Sequence, residues 1–165
     1  MKNCKKPISD GSELNSRDIA LNSLHFVLKK HFTPSDALHS HPSFLQMDYR
    51  DRAFSLLLLL TTLRRLGQID AAISKLLEKP LPKRYERIMN ILRLGTAQIL
   101  FLEIPSYAVV NTAVNQTKYS RFKAHKGLVN ALLRRMLERR RKLLQNQDPE
   151  FLNTSNWIWN SWNNF

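Results

Sequence analysis

The sequence feature that most constrains the fold of this chain is an apolar run at residues 53–63. Its central part, residues 54–60, is apolar nearly all the way round a helix, which is typical of a helix buried on most of its faces. The run has 11 residues, whereas a helix needs about 20 to cross a membrane, so it predicts a central core helix. Because no alternating run of strand length occurs elsewhere, the chain is predicted to be all-α.

Helical periodicity and helix-ending residues divide the chain into about seven predicted helices. Ser16 and Asp48 are suitable N-caps for the first two, and Gly67 is placed to end the second as a C-cap. Gly95 lies on the apolar stripe of the fourth and would let a neighbouring helix approach closely. Residues 32–47 contain two prolines and predict a loop. The predicted helices are 17–31, 48–67, 69–77, 85–102, 107–119, 126–144 and 151–163.

The charge balance favours an anionic partner. Among 165 residues, 26 are Lys or Arg and 13 are Asp or Glu, giving a formal charge of +13 and a pI near 10.3. Such an excess usually faces phosphate, in nucleic acid or on a membrane surface. The single cysteine, Cys4, excludes an internal disulfide. Together with a polar start that does not resemble a signal peptide, it predicts a cytoplasmic protein.

The strongest functional signal is a basic amphipathic helix predicted at residues 126–144. At 100° per residue, its apolar side chains fall on one half and most charged side chains on the other. Glu138 is the only acid from Lys118 to Lys142, so phosphate is the candidate partner of this charge. A solvated helix face and a membrane-surface helix are the alternatives. The candidate RNA-binding residues in this segment are Lys118, Lys123, Lys126, Arg134, Arg135, Arg141 and Lys142.

Other chemistry is not indicated by the sequence. Asn111 and Asn130 each follow a valine within an apolar helical pattern. They could contact a ligand, but the expected role is that of a buried or capping asparagine that satisfies backbone groups. No histidine, cysteine or carboxylate spacing fits a metal site, and no glycine-rich phosphate loop occurs. We therefore predict neither a metal nor a cofactor.

A series of short motifs occurs in a fixed order along residues 16–145. The motifs are Asp51-Arg52-Ala53-Phe54, Leu63-Arg64-Arg65, Ile69-Asp70, Lys79-Pro80-Leu81, Ile91-Leu92-Arg93-Leu94-Gly95, Ala97-Gln98-Ile99-Leu100, Ile104-Pro105, Ala108-Val109-Val110-Asn111 and Gly127-Leu128-Val129-Asn130-Ala131. In this order they resemble the NusB-like helical RNA-binding domain. The motif LVNALLRR at residues 128–135 most resembles the copy of that domain at the N-terminus of RsmB-type rRNA cytosine-C5 methyltransferases. Ser106-Tyr107 departs from the Pro-His that is common in this family.

The resemblance implies two small helical subdomains packed side by side. It also implies an RNA-facing arginine near the start of the first helix, which Arg17 matches by position. It divides the chain into a flexible basic leader (1–15), the helical domain (16–145) and a tail (146–165). The tail resembles the segment that leads into a catalytic domain, and the residues expected to dock on that domain are Trp157, Trp159 and Trp162.

The resemblance also sets the expected function. Enzymes of this type methylate rRNA with S-adenosylmethionine and use two cysteines in a further domain, which this sequence does not contain. We therefore expect an RNA-binding module, directed at rRNA, that is not itself an enzyme. The alternatives are a free-standing transcription antitermination factor and a structural domain that packs on an enzyme without touching RNA.

Overall fold

The computed structural model describes residues 15–118, 120–145 and 147–163, so the predicted leader lies outside it except for Asn15. Within these ranges the chain forms eleven α-helices, two 3-10 segments (Lys83–Tyr85 and Ser120–His125) and no strand, which confirms the all-α prediction. The helices are α1 (Ser16–Lys30), α2 (Pro34–His39), α3 (Pro42–Gln46), α4 (Tyr49–Arg64), α5 (Leu66–Leu76), α6 (Glu86–Leu100), α7 (Ser106–Gln116), α8 (Lys126–Glu138), α9 (Arg140–Gln145), α10 (Pro149–Asn153) and α11 (Asn156–Asn163).

Helix α6 lies at the centre of the bundle. It packs against α1, α4, α5, α7 and α8, and 11 of its 15 residues are buried. The helices form two groups, α1–α4 and α5–α8, which share one core through α6. A Cβ at Gly95 would lie 2.8 Å from a methyl carbon of Leu133 on α8. This glycine therefore permits the close helix approach that the sequence predicts.

Helix α4 is less buried than its apolar sequence predicts. Leu58 and Leu59 are fully buried, but Leu56 and Leu57 are 41% and 51% exposed. The prediction that this helix is the central one was wrong, because hydrophobicity alone does not say which faces other helices cover. The buried hydroxyl of Thr62 is accommodated by donating to the carbonyl of Leu58 at 2.7 Å.

Residues 32–47 form two short helices where the sequence predicted a loop. Pro34 and Pro42 occupy the first turns of α2 and α3, where the fixed φ of proline suits a helix start. Thr33 caps α2, since its hydroxyl accepts from the backbone N–H of Asp36 at 3.1 Å. Helices this short are stable only through packing. Their buried residues are Ala37, Leu38 and Phe44.

Two helix-end predictions were wrong. Asn15, rather than Ser16, caps α1, because its Oδ1 accepts from the N–H groups of Arg17 and Asp18 at 3.0 Å each. Gly67 lies inside α5 instead of ending the preceding helix, and no glycine in the described ranges has a positive φ. A Cβ at Gly67 would overlap the backbone carbonyl of Leu152. The glycine therefore allows α10 to lie directly against α5.

The contact between α5 and α10 is held by amides around Gln68, a network that we call the Gln68 clasp (Gln68, Gln147 and Asn153). Gln68 Nε2 donates to Gln147 Oε1, and Gln147 Nε2 donates to the Gln68 carbonyl, both at 3.0 Å. Asn153 Nδ2 donates to Gln68 Oε1 at 3.0 Å, while its Oδ1 accepts from the Gln68 N–H at 3.2 Å. The segment 147–153 thus packs on α5, although the sequence places it in the tail.

Both of the last two predicted helices are divided in the structure. The helix predicted at 126–144 is interrupted at Arg139, which has φ −104° and ψ 10° between α8 and α9. The helix predicted at 151–163 is divided into α10 and α11. Of the helices in the described ranges, none has the length and apolar character needed to span a membrane.

Candidate nucleic-acid interface

Helix α8 separates its apolar and basic residues as the sequence predicts. Its apolar residues recur every three or four positions and form one stripe, which packs against α6 and α7. Arg134, Arg135 and Glu138 are exposed on the other side. The buried residues of the helix are Val129, Leu132, Leu133 and Met136.

The seven basic residues that the sequence predicts between positions 118 and 142 are all exposed. None of them lies within 4 Å of a carboxylate in the described part of the chain, where the ion pairs are Lys29–Glu86, Arg93–Asp70 and Arg140–Glu103. Their charge is therefore available to a ligand. We call these residues the α7–α9 basic surface: Lys118, Lys123, Lys126, Arg134, Arg135, Arg141 and Lys142.

The α7–α9 basic surface is elongated rather than compact. Lys118, Lys123 and Lys126 lie near the N-terminal end of α8, whereas Arg141 and Lys142 lie beyond its C-terminal end. At 1.5 Å per residue, the 13 residues of α8 separate these ends by about 20 Å. The spacing suits a chain of phosphates better than a single anion.

Arg17, the eighth predicted RNA-binding residue, has a different environment. Its Nε donates to Gln98 Oε1 at 2.8 Å, and its guanidinium lies 4.9 Å from the centre of the Phe54 ring. Burial lowers the pKa of Arg17 below its usual value, an effect that the carboxylates of Asp51 and Asp18 partly oppose. Arg17 is therefore fixed by contacts within the protein, unlike the seven exposed cations.

Arg17 nevertheless lies beside one end of the basic surface. Its neighbour Asp18 accepts a hydrogen bond from Gln116 Nε2 at 2.9 Å. Gln116 is the last residue of α7, and Lys118 follows two positions later. The fold thus brings the start of α1 next to the turn that carries Lys118.

Two further basic residues near this end were missed from the sequence. Lys83 and Arg84 are exposed in the 3-10 segment before α6. The ring centres of the next residue, Tyr85, and of His125 are 4.3 Å apart. This contact places Lys83 and Arg84 near Lys126. The only available signal was the Lys-Arg pair after Pro82, since the contact that joins the two segments is not visible in the sequence.

A groove of about 580 Å³ runs between α7 and α8. Asn111 on α7 is exposed and Asn130 on α8 is half-buried. Neither side chain hydrogen-bonds to another residue in the described ranges, and both lie within their helices. The expectation of buried or capping asparagines was therefore wrong. The residues that line the groove include Tyr107, Val110, Asn111, Val114, Asn130, Arg134, Leu137 and Glu138.

The corner between α8 and α9 forms a second, shallow cavity of about 660 Å³ with a largely basic lining. Arg140 fixes this corner, because its Nη2 donates to Glu103 Oε1 at 2.8 Å and to the Leu100 carbonyl at 3.3 Å. Arg139 and Arg141 remain exposed beside it. No three His, Cys, Asp or Glu side chains in the described ranges are grouped as a metal ion would require.

The fold and the basic surface define an all-helical domain with one cationic side. The chain belongs to the NusB family, whose model matches residues 14–138. It is similar to ribosomal RNA small subunit methyltransferase B of Serratia proteamaculans (strain 568), with 31% identity over 147 residues, 87% of this chain and 34% of that protein. The enzyme of the same name from Proteus mirabilis (strain HI4320) is 29% identical over 149 residues, with the same two coverages.

These similarities confirm the resemblance on which the sequence-based expectations rest. A third relative, ribosomal RNA small subunit methyltransferase B of Xanthomonas campestris pv. campestris, is 35% identical over 88 residues, 53% of this chain and 20% of that protein. The chain spans 34% of the length of the first two relatives. All three relatives bear the name of the small-subunit rRNA methyltransferase, in agreement with the version of the domain that the motif at residues 128–135 resembles.

Proposed function

We propose that this chain is an RNA-recognition module of the kind carried by rRNA small-subunit methyltransferases, and that it binds RNA through the α7–α9 basic surface. The observation that carries the proposal is the set of seven exposed cations with no ion pair in the described part of the chain. The names of the relatives point to small-subunit rRNA as the target. The proposed role is recognition, while the methyl transfer belongs to another domain.

The physical basis of the proposed binding is the neutralisation of phosphates. Each cation that contacts a phosphate releases condensed counterions, so affinity falls as salt rises. For single-stranded RNA, seven such contacts give a slope of log affinity against log salt of about −5. Arg17 adds less to this slope, because its guanidinium is already held by Gln98 and Phe54.

The direct test is the triple substitution Arg134→Glu, Arg135→Glu and Arg141→Glu. Affinity for rRNA fragments, measured by fluorescence anisotropy at low salt, should fall by about 100-fold or more, because three attractions become repulsions. The salt slope should become shallower by about 2. Circular dichroism and the thermal midpoint should not change, because all three side chains are exposed.

A matched control makes the same change of charge elsewhere. Arg50, Lys75 and Lys79 are exposed outside the α7–α9 basic surface, and their replacement by Glu lowers the net charge equally. This control should lose clearly less affinity than the triple variant. Equal losses would show that only net charge matters, and no RNA binding by the native chain would favour the structural-domain alternative.

We also propose that α11 contacts a methyltransferase domain through its exposed tryptophans. Trp157 and Trp162 are 73% and 68% exposed. Trp159 instead packs edge-on against Phe151, with 5.4 Å between ring centres. Because α10 is fixed to α5 by the Gln68 clasp, α11 presents these two indoles from an anchored base. Large exposed aromatic side chains of this kind are typical of contact surfaces.

Acrylamide quenching of tryptophan fluorescence tests this contact. In the chain alone, Trp157 and Trp162 should be quenched readily, and fusion to the methyltransferase part of the Serratia relative should shield them. A variant that keeps only Trp159 is the control, because Phe151 already covers one side of that indole. Fusion that leaves the quenching of Trp157 and Trp162 unchanged would refute the contact.

A further inference from the structure

The groove between α7 and α8 combines an apolar floor with unpaired polar walls. The two helices run in opposite directions, so the first turn of α7 lies beside the last turn of α8. Val110, Val114 and Leu137 are partly buried and supply apolar surface at its base. Asn111 and Asn130 face the groove from opposite helices and make no side-chain hydrogen bond within the described ranges. Each amide offers two donors and one acceptor.

The open end of the groove carries an aromatic ring and two opposite charges. Tyr107 is 78% exposed and lies one helical turn before Asn111, on the same face of α7. Arg134 and Glu138 line the α8 side, one turn apart. Neither forms an ion pair in the described part of the chain. The side chains of Asn111 and Asn130 make no hydrogen bond within the described ranges, and the ring of Tyr107 is largely exposed. Contacts within the protein therefore do not explain why these residues are present.

These groups match the needs of one unpaired nucleotide. A planar base can stack on an exposed tyrosine, and every base offers such a face. Side-chain amides read base edges by paired hydrogen bonds, and a carboxylate accepts from an exocyclic amino group. An arginine at the rim can hold the flanking phosphate. Leu137 and Glu138 line both this groove and the α8–α9 corner that Arg141 also lines, so a strand bound on the basic surface can reach the groove.

We propose that the α7–α8 groove is a subsite for one unpaired base of single-stranded RNA, with a preference for adenine or cytosine over uracil. Tyr107 stacks on the base, and Asn111 and Asn130 hydrogen-bond to its edge. Glu138 accepts from the exocyclic amino group, which uracil lacks, and Arg134 binds the neighbouring phosphate. The subsite rests on the proposed RNA binding and adds base preference to it.

The test compares oligo(A), oligo(C) and oligo(U) of about 12 nucleotides in fluorescence anisotropy at about 50 mM salt. The native chain should bind oligo(A) and oligo(C) more tightly than oligo(U). Tyr107→Ala should weaken oligo(A) binding on the order of tenfold through lost stacking. Tyr107→Phe should retain the affinity, because the ring is kept. Glu138→Ala should abolish most of the preference over oligo(U), because the acceptor for the exocyclic amino group is lost.

The chain offers a matched control and a second readout. Tyr49 on α4 is 79% exposed and lies outside the groove, so Tyr49→Ala should change affinity by less than about twofold. Tyr107→Ala should leave the salt slope unchanged, since stacking releases no counterions, whereas Arg134→Ala should make it shallower by about 0.7. The thermal midpoints of the Tyr107 and Tyr49 variants should match that of the native chain.

The outcomes separate this subsite from the proposed function. Native binding that Tyr107→Ala leaves unchanged overturns the base subsite and leaves RNA binding by the basic surface intact. Native binding without preference against oligo(U) also overturns it. No binding to any of the three overturns the RNA-binding proposal and the subsite together.

Discussion

Gln68 and Asn130 are both side-chain amides on the surface of the same core, but their environments are opposite. Gln68 is 3% exposed, and its amide bonds to Gln147, Asn153 and, at 3.0 Å, Arg65 Nη1. Asn130 is half-buried beside the α7–α8 groove and makes no side-chain hydrogen bond in the described ranges. On the α5–α10 side the polar groups of the Gln68 clasp are therefore satisfied internally, whereas on the α7–α9 side those of the groove and of the basic surface are left open.

The difference between the paired amide of Gln68 and the open amide of Asn130 indicates that one side of the protein contributes to stability and the other to ligand binding. A polar group that is paired inside the protein costs free energy when its partner is removed. An open polar group costs little to remove but is free to meet a ligand. Substitutions on the α5–α10 side should therefore lower the free energy of unfolding and leave RNA affinity unchanged. Substitutions on the α7–α9 side should lower RNA affinity and leave the free energy of unfolding unchanged. Substitutions at Gly67 and Asp70, each with a control on the α7–α9 side, can break or sharpen this division.

The largest loss of stability is expected from Gly67→Ala. The new Cβ would overlap the Leu152 carbonyl, so α10 must shift or leave and the Gln68 clasp is weakened. The free energy of unfolding should fall by roughly 2–3 kcal/mol, measured by urea denaturation, with RNA affinity retained. Gly127→Ala is the matched control, because no atom lies within 4 Å of a Cβ there. It should be neutral or stabilise by up to about 1 kcal/mol. Equal stability of the two variants would break the comparison.

A smaller loss is expected from Asp70→Asn. Both oxygens of Asp70 accept from Arg93, at 2.8 and 2.7 Å, and the two side chains are 33% and 17% exposed. Removing the charge should cost about 1–2 kcal/mol, between the values for exposed and buried pairs. Glu103→Gln breaks the more exposed pair with Arg140 (76% and 36%) and should cost less. A larger cost for Glu103→Gln would contradict the assignment of stability to the closed side.

The smallest expected effect is the pH dependence of the free energy of unfolding that His41 contributes. His41 is buried and lies on neither of the two sides compared above. His41 is 3% exposed, stacks on Phe26 with 5.4 Å between ring centres, and its Nε2 has no partner in the described ranges. Burial lowers the pKa of His41 below its usual 6.5. The unfolded chain therefore takes up the proton first, and stability is complete above about pH 6.5 and falls as the pH drops below it.

Substitution of His41 by Phe tests this dependence. The drop in unfolding free energy between about pH 7.5 and about pH 5.5 should be smaller in His41→Phe than in the native chain. The pKa of His25, which burial also lowers, contributes to both proteins and cancels in the difference. An unchanged drop in His41→Phe would show that His41 does not contribute.

The sequence predicted those parts of the fold that depend on local periodicity. The two faces of α8 and the close approach at Gly95 follow from residues a few positions apart. The exposed side of α4 was missed, because leucines at positions 56 and 57 look the same whether or not a neighbour covers them. Helices α2 and α3 were missed because packing, rather than intrinsic propensity, stabilises such short segments.

For the candidate site, the sequence predicted the exposed cations but not their surroundings. The exposure of the seven lysines and arginines follows from the charge pattern of one segment. That Gln98 holds Arg17 could not be predicted, since these residues are 81 positions apart. Nor could Tyr107 be linked to Asn130, because the groove exists only once α7 and α8 pack. Whether these residues bind RNA stays a prediction.

The Gln68 clasp also sets an order of events during synthesis of the protein. Asn153 bonds to Gln68 across a separation of 85 residues, and α6, α7 and α8 lie between them. At about 5–20 residues per second, the ribosome makes Asn153 roughly 4–17 s after Gln68. Until then the start of α5 remains hydrated, however well the rest of the bundle has formed. Closure of the clasp is thus a late step that requires the intervening helices to have been translated.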